Sequence, residues 1–161
     1  MKHADVYYDG KTLPFGEASC DGVLCTQVLE HVPDPEALLR EIGRVLKPGG
    51  TVVLSAPFFW QEHEQPFDFF RFSTFGMRQL LSRAGLEEIS IEKTSGTLET
   101  LAQGASVYVA TNLMLPIRGW GRLMSILLCF PLQLSGLIWQ RLLPNRGELF
   151  LDLVVIARRS A

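Results

Sequence analysis

The stretch GVLCTQVLEHVPDPEALLREIGRVLKPGGTVVLSAP, residues 22–57, constrains the fold more than any other part of the chain. Its first residues, Gly22 to Thr26, form an apolar run too short for a helix, which predicts a strand buried on both faces. Asp34 then stands as an N-cap, with Pro35 at the first helical position and Glu36 in the first turn. Leu38, Leu39, Ile42, Val45 and Leu46 recur at the spacing of one helix face. Pro48-Gly49-Gly50 is a stop signal, and Thr51 to Ala56 is a second apolar strand. Strand, helix and strand joined by short connections make a parallel crossover unit, the repeating element of an α/β sheet. Ligands of such sheets sit beyond the carboxyl ends of the strands. That crevice receives Thr26, Gln27, Glu30 and His31 from the first strand and Pro57 to Trp60 from the second.

The flanks extend this sheet. Residues 4–8, ADVYY, read as a strand end that stops at the turn signal Asp9-Gly10. A second helix is expected from Ser73 and Thr74 to Gly85, carrying Phe75, Met77, Leu80, Leu81 and Ala84. LEEISIEK alternates as a half-exposed strand does, and LFLDLVVIARR reads as a largely apolar last strand. The chain of 161 residues is expected to be a single domain, with residues 97–146 as a helical apolar insertion before that last strand. Leu123 to Gln140 holds no charge over eighteen residues, yet contains Pro131, Gln133, Ser135 and Gly136. A membrane span there would place strands of one sheet on opposite sides of the bilayer. Two helices broken near Pro131 are therefore expected, either covering the domain or lying in a membrane interface.

Charge is unevenly spread. Residues 1–99 carry fifteen acids against nine basic residues, whereas residues 100–147 carry Arg118, Arg122, Arg141 and Arg146 and no acid. Arg118, Arg122 and Arg141, with Trp120 and Trp139, are the flanking types of a membrane interface, and peripheral membrane contact through residues 113–146 is an expectation; the basic residues are too sparse for nucleic acid. Cys20, Cys25 and Cys129 make no paired framework and suit a reducing, cytoplasmic setting. The start MKHADVYYDG has no apolar core of signal-peptide length, and no metal-ligand spacing stands out.

Taken together, YYDGKTLPF, CDGVLCTQVLEHVPDPEALLREIGRVLKPGGTVVLSAP and PFDFFRFSTFGMRQLLSRAGLEEISIEK resemble the later part of the class I S-adenosylmethionine-dependent methyltransferases. The resemblance covers residues 4 to about 94 and the last strand. It implies a truncated Rossmann-like sheet, parallel but for an antiparallel last strand, and methyl transfer from S-adenosylmethionine to a small-molecule or lipid-linked acceptor. On the family's pattern, Asp9 is similar to the acid that accepts the adenine amine, and Gly10 to the residue beside the ring. Thr26 and Gln27 take the places near the methionine moiety, and His31 the place near sulfonium and acceptor.

His31 is the first choice of base because imidazole titrates near neutrality; capping of the following helix is the competing role. His63 is expected on the acceptor side, with Trp60 and Arg71 toward substrate; a salt bridge to Asp68 is the competing role of Arg71. Glu30 reads as a solvated or capping carboxylate. The aromatic residues of 58–72 read mostly as packing. Methyl transfer of this kind needs no metal.

Two family features are missing from the sequence: the glycine-rich cofactor loop and the ribose-binding acid of the second strand. The family's strand order then leaves residues 22–26 as an unpaired edge, which residues 4–8, a second copy or a missing N-terminal half would have to cover. A non-catalytic, methyltransferase-derived interaction module is the alternative function. A nicotinamide-dependent dehydrogenase is disfavoured, for there is no dinucleotide fingerprint.

Overall fold

In the computed structural model, residues 5–113 and 121–160 are described, without side-chain detail at Leu113 and 121–125. The elements are β1 (Cys20–Thr26), a 3-10 turn (Leu29–His31), α1 (Pro35–Val45), β2 (Leu46–Pro57), α2 (Thr74–Arg83), β3 (Leu86–Lys93), α3 (Thr97–Tyr108), a π-helical turn (Val109–Leu113), α4 (Gly121–Leu142) and β4 (Asp152–Arg159). They form two compact units, residues 1–92 with 152–161, and residues 93–151.

The first unit is an α/β layer on a mixed sheet of order β1-β2-β4-β3. β1 runs parallel to β2, pairing Val23 with Val52 and Cys25 with Leu54. β4 runs antiparallel to β2, with Val52 opposite Ala157 and Leu54 opposite Val155. The parallel crossover and the antiparallel last strand thus both stand as the sequence implies.

Helix α1 starts where the cap signal puts it: the Ala37 N–H donates to Asp34 Oδ1 at 3.0 Å. Its buried face is Leu38, Leu39, Ile42 and Val45. α2 is capped in the same way by Ser73, whose Oγ accepts the Gly76 N–H, and buries Met77 and Leu81. An Asp34→Ala substitution is expected to lower the unfolding free energy by about 1 kcal/mol, read as a shift of the urea midpoint at unchanged m.

Three expectations need correction. The LKPGG segment does not merely stop a helix: β2 already begins at Leu46, and the register jumps from Cys20↔Leu46 to Gly22↔Thr51. Lys47 to Gly50 form the resulting bulge. A Cβ on Gly50 would lie 2.8 Å from the Lys47 carbonyl oxygen and 3.1 Å from that of Asp21, and Gly49 has φ +77°. Second, β1 is not buried on both faces; only Cys25 is, and Leu24 is 74% exposed. β1 is the edge strand, and one face of the sheet is the core (Val52, Leu54, Ala56, Leu153, Val155, Ala157), while Leu24, Val53 and Ile156 line up across the other, less covered face. An apolar run reports affinity for cover, and on that face β1 has little. Third, residues 5–8 are no strand but an exposed segment outside the sheet, and Ala4 lies outside the described residues. A few apolar side chains with no ladder partner do not hold a strand.

The second unit packs α3 against α4. Gly136 allows the close approach, since a Cβ there would stand 2.5 Å from that of Ala102. Gln140 Oε1 accepts the Leu98 N–H at 2.8 Å, joining the start of α3 to the end of α4. α4 runs through Pro131 without the expected break. Proline removes one helical N–H, a local loss that packing along the rest of a long helix can outweigh. Among the described residues, no helix is long and apolar enough to cross a membrane.

Candidate functional site

The loop between β2 and α2 is folded back over the end of β1 by a few strong contacts. Asp68, nearly fully buried, takes Arg71 in a bidentate pair, at 2.6 Å to Nη1 and 2.7 Å to Nη2. The remaining Arg71 donors go to the carbonyls of Trp60, Gln61 and Phe70. The guanidinium is thereby fully engaged by the protein, which accords with the salt-bridge role rather than with substrate binding. Asp68 Oδ2 also accepts the His63 N–H at 2.9 Å. The paired guanidinium holds the Asp68 carboxyl far below the usual carboxylate range.

The same loop is laced to the 3-10 turn. The Glu30 carbonyl accepts the N–H groups of Phe69 and Phe70, and His31 Nδ1 stands 2.7 Å from the Phe67 carbonyl oxygen. A carbonyl can only accept, so Nδ1 carries the proton and Nε2 has the free lone pair. The His63 ring lies edge-on to His31, with centroids 4.7 Å apart. Its Nδ1 is 3.3 Å from both Gln61 O and Asp68 Oδ2. Two residues placed past the carboxyl ends of adjacent parallel strands thus meet.

Glu30 adjoins them. It is not the solvated or capping carboxylate that the sequence suggests: its side chain is wholly buried, and among the described residues neither oxygen has a hydrogen-bond partner. His31 Nε2 stands 3.8 Å from its Oε1. Burial pushes the Glu30 carboxyl up against the opposing pull of its own backbone N–H and of His31, His63 and Arg71. Cys25, buried beside it, has its thiol pushed up to about 11, so it is no nucleophile at neutral pH. Glu30, His31 and His63 each place a ligand-type atom within 4.8 Å of the others. No spacing rule joins residues 30 and 63; the only sequence signal was their shared position after adjacent strands.

The other site residues fall as follows. Gln27 directly follows β1 with φ +52°, and its side-chain amide donates to Ser55 Oγ and Asp152 Oδ1. Thr26 is exposed beside it. Asp9 is exposed, and its Oδ1 accepts the N–H groups of Lys11 and Thr12, which hold its carboxyl below the ordinary value. Gly10 has φ +87° and open space where a Cβ would stand. This turn is tied to α1 through Leu13, whose N–H donates to Glu41 and whose carbonyl accepts Arg44. Trp60 is half-exposed, as are Phe69 and Phe70; of the loop's aromatic residues only Phe72 belongs to the core.

Residues 3–54 match a family model described as a methyltransferase domain. A ubiquinone biosynthesis O-methyltransferase of Xanthomonas oryzae pv. oryzae (strain PXO99A) is 57% identical over 37 residues, which are 23% of this chain and 16% of that protein. Among solved structures, a methyltransferase in complex with the Haloferax volcanii Trm112 methyltransferase activator superposes with a TM-score of 0.57 at 19% identity, over 99% of this chain and 65% of that one. The Haemonchus contortus phosphoethanolamine N-methyltransferase 2, solved with S-adenosyl-L-methionine, gives 0.56 at 14% identity, over 95% of this chain and 36% of that one. Each match spans less than two thirds of the related protein.

Proposed function

Because this chain carries part of a class I S-adenosylmethionine-dependent methyltransferase domain, we propose that it supplies the acceptor-facing side of a methyl-transfer site. The observation that carries this reading is the cluster just beyond the carboxyl end of β1. There His31, fixed through Nδ1, turns Nε2 toward Glu30 and the neighbouring His63. A site that removes a proton from an oxygen or nitrogen nucleophile needs such an oriented, partly shielded imidazole.

The cofactor, when bound, supplies a methyl group on a positively charged sulfur. Asp9 and Gly10 suit its adenine end: an exposed carboxylate kept ionised by two backbone N–H groups, followed by a residue with open space beside its Cα. Thr26 and Gln27 would flank the methionine end. Gln27 is held by Ser55 and Asp152, so it acts there through its position at the strand end. Arg71 and Asp68 are positioning residues that present His63, and Trp60 offers an apolar edge to the acceptor.

A small or lipid-linked acceptor suits the second unit, where Leu127, Phe130, Leu134, Ile138 and Trp139 of α4 are exposed near Arg141. The same surface supports peripheral membrane contact from a cytoplasmic setting. The alternative, a non-catalytic module that pairs with another chain, is favoured by one feature, the outer edge of β1, which has no strand partner among the described residues and carries the exposed Leu24.

Calorimetric titration with S-adenosylhomocysteine separates the two readings. Micromolar binding that Asp9→Ala weakens at least about tenfold is expected, a loss of the size of one charge-assisted hydrogen bond. A folded chain that gives no heat at millimolar ligand speaks for the non-catalytic module.

A further inference from the structure

We propose that Glu30, His31 and His63 bind one divalent first-row transition cation, of the manganese, cobalt or zinc type, at the carboxyl end of β1. A buried carboxylate without any hydrogen bond is costly, and proteins keep one where an ion or a partner completes it. Neither Glu30 oxygen has a partner within hydrogen-bond geometry among the described residues. Its neighbours are two imidazoles, and all three ligand-type atoms lie within 4.8 Å of one another. Ligands of one such ion stand roughly 3 to 4 Å apart, given bonds of about 2.1 Å, so the set has to draw in by roughly 1 Å to hold it.

The surroundings are those of ligands held in readiness. His31 Nδ1 donates to the Phe67 carbonyl, which fixes the tautomer and leaves Nε2 for the ion. His63 Nδ1 faces the Asp68 carboxylate and the Gln61 carbonyl, a second arrangement that frees Nε2. Asp68 is itself locked by Arg71. A directly shared proton between Glu30 and His31 would be the rival explanation, but 3.8 Å is too long for a hydrogen bond. Cys25 is not one of the three residues whose ligand-type atoms meet there.

Two nitrogens and one carboxylate favour a borderline transition ion over magnesium or calcium, which prefer all-oxygen sets. Three protein ligands leave coordination positions open. The cation therefore suits an acceptor that binds through oxygen, a hydroxyl whose proton is released more readily at the ion; this choice of acceptor rests on the methyl-transfer reading, whereas cation binding does not.

The test uses the full chain, stripped with chelator, and titrates it with cobalt(II) and manganese(II) without any cofactor. Calorimetry should give one site per chain, and the visible cobalt bands should report nitrogen and oxygen ligands without thiolate charge transfer. Glu30→Gln, which keeps shape, should weaken binding at least about a hundredfold, and His31→Ala and His63→Ala at least about tenfold each. Folding of each variant is checked by circular dichroism. Binding unchanged in folded Glu30→Gln, a thiolate spectrum, or no saturable heat at millimolar ion overturns the proposal. If the ion binds but S-adenosylhomocysteine does not, the cation site stands and the methyl-transfer reading falls.

Discussion

Replacement of Asp68 by asparagine is expected to lower the unfolding free energy by about 3 kcal/mol, because it leaves a partly buried guanidinium without its counter-charge. The carboxylate makes two short bonds to Arg71 and accepts the His63 N–H, so one substitution loosens the turn at Phe67–Arg71 and the residue it presents. The pH dependence carries a definite sign. Native Asp68 has its carboxyl depressed, so its contribution is complete above the unfolded value of about 3.9 and fades as pH falls through the native one. Urea unfolding of both forms should therefore give a constant difference from neutrality down to about pH 4, and a shrinking one in stronger acid. A difference under about 0.5 kcal/mol at neutral pH would mean that the pair is no stronger than an exposed surface bridge.

Glu30→Gln should act in the opposite direction. With chelator present at neutral pH, the variant is expected to be more stable than the parent by about 1–2 kcal/mol, since an amide is far less costly to bury than a carboxylate. Here the native carboxyl is raised, so stability is greatest in acid and falls as pH climbs from the unfolded value of about 4.3 through the raised native one. The glutamine form lacks that slope. His31, His63 and Arg71 face Glu30 and oppose the rise of its carboxyl, so they temper the effect without reversing it. A less stable variant in chelator would show that the carboxylate already has a strong partner.

Most of the secondary structure was legible in the sequence because its signals are local. Asp34-Pro35 and Ser73 are caps whose partners lie three residues away, and both act as such. The LKPGG segment was harder: a glycine pair marks both a helix stop and a bulge, and only the partner strand, through the Asp21 carbonyl, decides for the bulge. The exposure of Leu24 was hidden for the same reason, since burial belongs to the neighbours and not to the residue. Among the site residues, the Asp68–Arg71 pair has helical spacing and could be named in advance. The meeting of Glu30 and His31 with His63 could not, because it depends on how a loop of aromatic residues folds back over a strand end.

The central pairing of the sheet joins Thr51 to Arg158 and Pro57 to Asp152. During synthesis β2 leaves the ribosome with one of its two sheet partners, β1, already made, and it waits while the whole of residues 93–151 is made before the other, β4, arrives. Loop-closure entropy rises only slowly with length, so the intervening helices cost the finished fold little. They do lengthen the time during which an apolar strand edge stands open, and folding rates fall as contacts become more distant in sequence. The helical unit gives this time a use, for α3 and α4 pack on each other through Gly136 and Gln140 and can mature before the sheet closes. In this chain the order of assembly is thus set by where the last strand is written.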